Sequence, residues 1–220
     1  MDNAKISNFL LSKGCDWIVW ENNAPVSSHA GGVWERMIKS IRNVFDSLLK
    51  DHSGRLNDES FRTLMTEAES IVNSRPLTTE NLQDPESLPI TPNQLLTMKT
   101  KVALPPPGIF QKEDVYCRKR WRSVQYLANE FWRRWKKEYL IILQERQKWH
   151  AKNRNFQIGD IVLMKDDDLP RNQWRMGRIV DVVKSNDGLV RVASIRLTPC
   201  GTVLQRSITK FVLIIGTDEV

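Results

Sequence analysis

A glycine-rich segment delivers an acidic side chain to the start of a predicted helix. The segment SHAGGVWER occupies residues 28–36, and Glu35 falls in the first turn of a helix that should begin near Val33. Lys39 and Arg42 follow Glu35 at i+4 and i+7, so the three side chains are expected on one helix face. A carboxylate beside two cations suits a site at which Mg²⁺ meets phosphate groups. The same spacing also suits a solvated helix face with a simple Glu–Lys pair.

A second concentration of charge lies in residues 118–154, which hold twelve Lys or Arg and three acidic residues, whereas the whole chain has a formal net charge of +7. The apolar residues recur every three or four positions, which predicts a helix from about Arg118 to Lys152. Such a helix can track phosphates of nucleic acid, although a solvated amphipathic helix has the same pattern. The candidate phosphate contacts on this helix are Arg118, Lys119, Arg120, Arg122, Arg133, Arg134, Lys136 and Lys137. Beyond it, the DNA surface could continue over Trp174, Arg175, Arg178, Lys184, Arg191 and Arg196, although Trp174 is expected in the core or at its rim.

The elements that should position these residues form four sections. Residues 1–100 alternate helical patterns with short breaks, and residues 101–117 contain three consecutive prolines, which predict a stiff linker. The basic helix at 118–154 comes next. Residues 155–220 contain five short strand-like runs, which are typical of a small barrel of the SH3-like kind. The strands are expected at about 158–164, 174–183, 190–197, 203–205 and 210–215, with a hairpin turn at 186–188.

Three apolar stripes predict the buried faces of the helices. The first helix begins near Val33, and the second has its cap at Asn57 or Asp58 and ends before Pro76. The aromatic residues of the third helix fall on its stripe, so we expect them in the core rather than as surfaces for base stacking. The stripes are Trp34, Ile38, Ile41, Phe45 and Leu48; Phe61, Leu64, Ala68 and Ile71; and Trp121, Val124, Ala128, Phe131, Trp135, Tyr139 and Ile142.

Composition narrows the class of protein. The cysteines Cys15, Cys117 and Cys200 are far apart and form no metal-ligand spacing, so neither structural zinc nor a disulfide framework is expected. The first residues are polar, and no apolar run approaches the roughly 18 residues of a membrane span. We therefore expect an intracellular, soluble protein without membrane contact, in the nucleus or the cytoplasm. The sequence pI of about 9.4 favours a polyanionic partner.

Several segments together resemble the integrase region of BEL/Pao-type LTR retrotransposon polyproteins. The resemblance covers almost the whole chain: the end of the catalytic core, followed by the uncharacterised domain that ends these polyproteins. The matching segments are HAGGVWER (29–36), NSRPLT (73–78), ITPNQLL (90–96), RWRSVQYLANEFWRRWKKEYL (120–140), LQERQKW (143–149) and GDIVLMKDDDLPRNQWRMGR (159–178).

The resemblance implies an α+β chain with a truncated RNase H-like core, a long basic linking helix and a small SH3-like β-barrel. It implies that Glu35 is the third carboxylate of an Asp-Asp-Glu triad that binds Mg²⁺, and that Lys39 and Arg42 contact DNA. Asp2 and Asp16 are the only aspartates before Glu35, and neither fits a triad position. We therefore expect a DNA-binding integrase fragment that is inactive alone and holds no metal stably.

Three alternatives remain at this stage. The resemblance implies DNA as the partner and permits the homo-oligomers that integrases form. A module of the same origin could instead have been domesticated for protein–protein interaction. A chain that borrows the two missing carboxylates from a second chain would be a complete strand transferase.

Overall fold

The computed structural model describes residues 32–52, 56–79, 89–98, 105–116, 120–144 and 154–217. The chain divides into two compact units, residues 1–39 and 40–220. The predicted glycine loop up to residue 31 and the cysteines Cys15 and Cys117 lie outside the described residues. No helix of the described ranges is both long enough and apolar enough to cross a lipid bilayer.

Two helices follow the predicted pattern at the start of the described chain. Helix α1 spans Gly32–Asp51 and helix α2 spans Asp58–Asn73. The side chain of Asn57 accepts a hydrogen bond from the backbone N–H of Ser60 at 3.1 Å, which confirms the predicted cap of α2. Helix α2 ends two residues before Arg75 and Pro76, as the restriction before proline requires.

The predicted stripes are only partly buried. Phe45, Leu48, Leu64, Ala68 and Ile71 lie in the core, as expected. The predicted burial of three other residues is wrong, because a period of 3.6 residues identifies a helix face but not how much of its length is covered. The exposed residues are Trp34 at 55%, Ile38 at 38% and Phe61 at 38%.

Short elements connect α2 to the long helix. Strand β1 (Thr78–Thr79) pairs antiparallel with β2 (Pro89–Ile90), and helix α3 follows at Pro92–Thr97. The predicted linker contains a 3₁₀ helix at Lys112–Tyr116, which sequence reasoning did not anticipate.

The basic helix, α4, spans Arg120–Leu143. It ends earlier than predicted, since Gln144 is already outside the helix, and residues 145–153 lie beyond the described part. Val124, Ala128, Phe131, Trp135 and Tyr139 are buried as predicted. The predicted burial of Trp121 is wrong: it lies in the first turn of α4, packs against Phe110 with ring centroids 5.5 Å apart, and is 51% exposed.

Five antiparallel strands form one sheet with the order β6-β5-β4-β3-β7. The hairpin between β4 and β5 turns through Gly188 at φ +77°, as the predicted turn requires, whereas Asn186 keeps a negative φ. The sheet is open in the described residues, with β6 and β7 at its edges, so the strands expected to form a small SH3-like barrel do not close into one there. The strands are β3 (Ile161–Met164), β4 (Arg175–Lys184), β5 (Val190–Leu197), β6 (Val203–Ser207) and β7 (Phe211–Ile215), with a 3₁₀ turn at Ile208–Lys210 before β7.

Both faces of the sheet carry apolar residues. One face buries a cluster that includes Val162, Ile179 and Ile195. The opposite face buries Leu163 and Met176 together with Leu140 of α4. Helix α4 also contacts α2. The helix expected to link two domains is therefore packed between α2 and the sheet within one unit.

Candidate nucleic-acid interface

Two of the three tryptophans of α4, Trp132 and Trp135, belong to the core. Trp132, Trp135 and Tyr139 of α4 surround Trp174, with ring centroids 4.9, 6.2 and 5.6 Å from it. Trp132 Nε1 also donates a hydrogen bond to the carbonyl of Leu169 at 3.3 Å. This aromatic cluster fastens the helix to the segment before β4, which confirms that these rings are not surfaces for base stacking.

Lys136 is buried, contrary to its predicted role as a phosphate contact. Only 3% of the residue is exposed, and its Nζ donates a hydrogen bond to the carbonyl of Asp166 at 2.5 Å. The ammonium also lies 5.3 Å from the ring centroid of Trp132, within the range of a cation–π interaction. Burial lowers the pKa of Lys136, whereas the carboxylates of Asp167 and Asp166 act in the opposite direction. Lys136 was a candidate because of its charge, and the sequence could not show the loop that covers it.

Three arginines of α4 are already neutralised by carboxylates. Arg122 Nε lies 2.7 Å from Asp114 Oδ1, and this hydrogen bond lowers the pKa of the Asp114 carboxyl. The other two pairs are Arg133 with Glu130 at 2.7 Å and Arg134 with Asp51 at 2.8 Å. A phosphate contact at any of these arginines would have to replace an existing ion pair. They are therefore weaker candidates for phosphate binding than arginines without an acidic partner.

Two predicted contacts on α4 keep an unneutralised charge. Arg120 and Lys137 are exposed, and neither makes a hydrogen bond or an ion pair within the described ranges. Arg118 and Lys119 precede the described start of the helix. The excess of nine positive charges in residues 118–154 therefore overstates the positive charge that α4 has available for a partner.

Arg171 has a structural role that sequence reasoning missed. Its side chain is 1% exposed, and Nη2 lies 2.6 Å from Gln125 Oε1 and 3.4 Å from Glu67 Oε2. Gln125 Nε2 in turn donates to Glu67 Oε1 at 2.9 Å, so one network joins α2, α4 and the loop before β4. Burial lowers the pKa of Arg171, and the nearby Glu67 carboxylate favours its charged form. No sequence signal distinguishes this arginine from an exposed one.

A second buried carboxylate fixes the approach to β3. Asp160 is 0% exposed and accepts two hydrogen bonds from the guanidinium of Arg154, each 2.9 Å long. The backbone N–H groups of Gln157 and Thr217 donate to the same carboxylate at 2.8 and 3.0 Å. Burial alone would raise the pKa of Asp160, but these hydrogen bonds outweigh it and leave the pKa below its ordinary value.

The sheet brings two arginines together without an acidic partner. Arg178 of β4 and Arg196 of β5 are directly opposite in register, on the same face as the Met176 side that packs against α4. Arg178 is half-buried and Arg196 is exposed, and neither forms an ion pair with any described residue. Asp181, the one carboxylate of β4, is opposite Ser194, two rows away in the register, and makes no ion pair with either arginine. Like charges directly opposite each other destabilise a sheet, so this pair is the strongest candidate for an anion contact.

Glu35, Lys39 and Arg42 are all exposed residues of α1. Across the described ranges, no group of three His, Cys, Asp or Glu side chains is placed to hold a metal ion. Asp2 and Asp16 lie outside those ranges. One exposed carboxylate does not suffice for a Mg²⁺ site, so the metal role of Glu35 stays a prediction and no catalytic step is derived from it.

Comparison with known protein families gives a match over the second half of the chain. A family model described as "Family of unknown function (DUF5641)" matches residues 119–214, which include α4 and the sheet as far as Ile214. No curated protein matches the chain. No solved structure matches it either.

Proposed function

We propose that this chain binds nucleic acid through phosphate contacts made by basic side chains that lack an acidic partner. The observation that carries the proposal is the cross-strand pair Arg178–Arg196. Side chains directly opposite on antiparallel strands have Cβ atoms about 5 Å apart, so the two guanidinium groups can reach one phosphate or two neighbouring phosphates. A bound anion would relieve their repulsion and accept their planar N–H donors.

Other unpaired cations extend this surface. Lys184 at the end of β4 and Lys210 before β7 are exposed and make no side-chain ion pair with the residues described. Arg120 and Lys137 add two such charges on α4. Contacts of this kind go to the backbone, so the binding is independent of base sequence and weakens as salt rises.

The wider role follows from the resemblance to BEL/Pao-type integrases. We propose that the chain serves DNA integration in the nucleus as part of such an integrase, and that α1 and α2 are the end of an RNase H-like core. The strand order supports an SH3-like sheet, because the first strand, β3, lies between the second strand, β4, and the last strand, β7. The 3₁₀ turn at Ile208–Lys210 before β7 is consistent with the same kind of sheet.

One observation favours a protein-binding role instead. Helix α3 and the residue after it expose three large apolar side chains: Leu95 at 59%, Leu96 at 73% and Met98 at 89%. Exposed apolar residues that cluster in sequence are typical of protein interfaces. Association through them would be insensitive to salt, whereas phosphate binding would not.

The test is a titration of labelled duplex DNA at low salt, followed by fluorescence anisotropy. The variant combines Arg178→Ala and Arg196→Ala, and the control is Arg191→Ala, which removes a β5 arginine whose guanidinium is paired with Asp187 at 2.6 Å. We expect the double variant to lose about tenfold or more in affinity and the control to stay close to the wild type. Equal losses of DNA affinity in both variants would show that the effect depends on net charge alone, and would overturn the assignment of the pair.

A further inference from the structure

An exposed aromatic patch lies at the start of α4, away from the aromatic cluster of the core. The aromatic patch is defined by the ring pair Phe110–Trp121 and includes the exposed residues Ile109 and Tyr116 of the segment that precedes α4. Ile109 is 79% exposed, Tyr116 67% and Trp121 51%. Phe110 packs edge-on against Trp121, with ring centroids 5.5 Å apart and an interplanar angle of 79°. Trp121 thus contacts one aromatic neighbour and keeps about half of its surface exposed.

The segment that carries the patch is held in one conformation. Asp114 accepts a hydrogen bond from the backbone N–H of Gln111 at 2.8 Å and two from the guanidinium of Arg122 at 2.7 and 3.2 Å. Arg122 Nη2 also donates to the carbonyl of Ile109 at 3.0 Å. Val115, between the acid and Tyr116, is buried. These contacts fix the patch before any partner arrives, which lowers the entropy lost on binding.

The charge around the patch is positive on balance. Arg120 is exposed and has no ion pair with a described residue, and the guanidinium of Arg122 lies 5.4 Å from the ring centroid of Phe110. The first turn of α4 contains no acidic residue, so the unneutralised charge of Arg120 adds to the positive end of the helix dipole, whereas the charge of Arg122 is balanced by Asp114. Lys112 and Glu113 are both exposed on the 3₁₀ helix, and their opposite charges leave the balance unchanged.

We infer that the aromatic patch stacks the unpaired bases of single-stranded nucleic acid, with Trp121 as the principal contact; this rests on the proposed function. Proteins that bind single strands combine cations along the backbone with aromatic rings on which bases stack, and such stacking tolerates any sequence. Bases in a duplex already stack on their neighbours, so the patch adds nothing to duplex binding. The patch and the Arg178–Arg196 pair are separated along α4, because Leu140, which packs on the same sheet face as that pair, is about 30 Å along the helix from Arg120.

The experiment compares three labelled ligands of one length, about 20 nucleotides: a single strand, the matching duplex, and a single strand with abasic sites at its centre. Anisotropy titrations use the full chain as wild type, Trp121→Ala, Trp121→Phe and Trp34→Ala. Trp34 is a matched control, because it is an exposed tryptophan at 55% on a different helix. Circular dichroism establishes that each variant keeps its helices.

We expect Trp121→Ala to lose about tenfold in affinity for the single strand and to change duplex and abasic binding less than twofold. Trp121→Phe keeps a ring and should retain most of the affinity, and Trp34→Ala should match the wild type. Equal losses of Trp121→Ala on all three ligands, or none on any, would overturn the inference while leaving phosphate binding intact. Tight capture of a proline-rich peptide at Trp121, with no loss on the single strand, would overturn it in favour of a protein partner. A wild type that binds no ligand would overturn the proposed function itself.

Discussion

Gly177 lies directly against the backbone carbonyl of Arg196. A Cβ atom added to Gly177 would approach Arg196 O to 2.2 Å and Ile195 Cγ1 to 2.9 Å. The closest of these atoms belongs to the backbone, so it cannot move aside without a shift of β5 against β4. The glycine therefore allows β4 and β5 the close approach that sets Arg178 opposite Arg196.

Replacement of this glycine should damage the sheet. We expect Gly177→Ala to lower the free energy of unfolding by about 2 kcal/mol, because overpacking forces the backbone to move. Urea denaturation would measure the loss. Gly188→Ala tests backbone strain instead of overpacking, since that glycine has open space around its Cβ position but a φ of +77°. A stable Gly177→Ala variant with unchanged DNA affinity would contradict the role given to this contact.

Alanine substitutions of two adjacent lysines of α4 should affect different properties, stability in one case and DNA binding in the other. Lys136→Ala removes a buried side chain and leaves the carbonyl of Asp166 without its donor, which should cost about 2 kcal/mol of stability. Lys137→Ala changes an exposed residue and should alter stability by less than about 0.5 kcal/mol while it weakens DNA binding. Thermal unfolding and anisotropy, measured on both variants, separate the two roles. A larger stability loss for Lys137→Ala than for Lys136→Ala would reverse the assignment.

The Asp160 carboxylate should make stability depend on pH in the acid range. Its folded pKa lies below the ordinary value of 3.8, so its contribution is fully present above pH 3.8 and is lost as the pH falls through the folded pKa. We expect Asp160→Asn to be about 2 kcal/mol less stable than the wild type at neutral pH, because the charged hydrogen bonds to Arg154 and two backbone N–H groups are weakened.

The difference in the free energy of unfolding between the wild type and Asp160→Asn should become smaller below about pH 4. Urea denaturation at neutral pH and at several acidic values would follow it. A difference that stays constant into strong acid would show that the side chain contributes through packing rather than through charge.

The elements of this chain were largely predictable from local sequence. The cap at Asn57, the end of α2 before Pro76, strand β5 at Val190–Leu197 and the turn at Gly188 all depend on neighbouring residues, which a single sequence contains. The end of α4 was misplaced, since no capping residue or proline in the sequence marks Leu143 as a stop.

The state of each charged side chain was far less predictable. Arg134 pairs with Asp51, 83 residues earlier, and Lys136 donates to Asp166, 30 residues later. Neither residue belongs to the apolar stripe of α4, and periodicity cannot identify a partner brought near by tertiary packing. Trp121 was likewise assigned to the core, because it has the helical spacing of the apolar stripe. Spacing does not show how far along the helix the stripe is covered, and Trp121 is exposed.

The salt dependence of duplex binding tests the central claim most directly. Each phosphate contact contributes about 0.9 to the slope of log K against log salt concentration. We predict that the variant with both Arg178→Ala and Arg196→Ala has a slope shallower than the wild type by about 1.8 between about 50 and 200 mM salt, while Arg191→Ala leaves the slope unchanged. A slope identical in the wild type and the double variant would contradict the account, because it would show that these two arginines touch no phosphate.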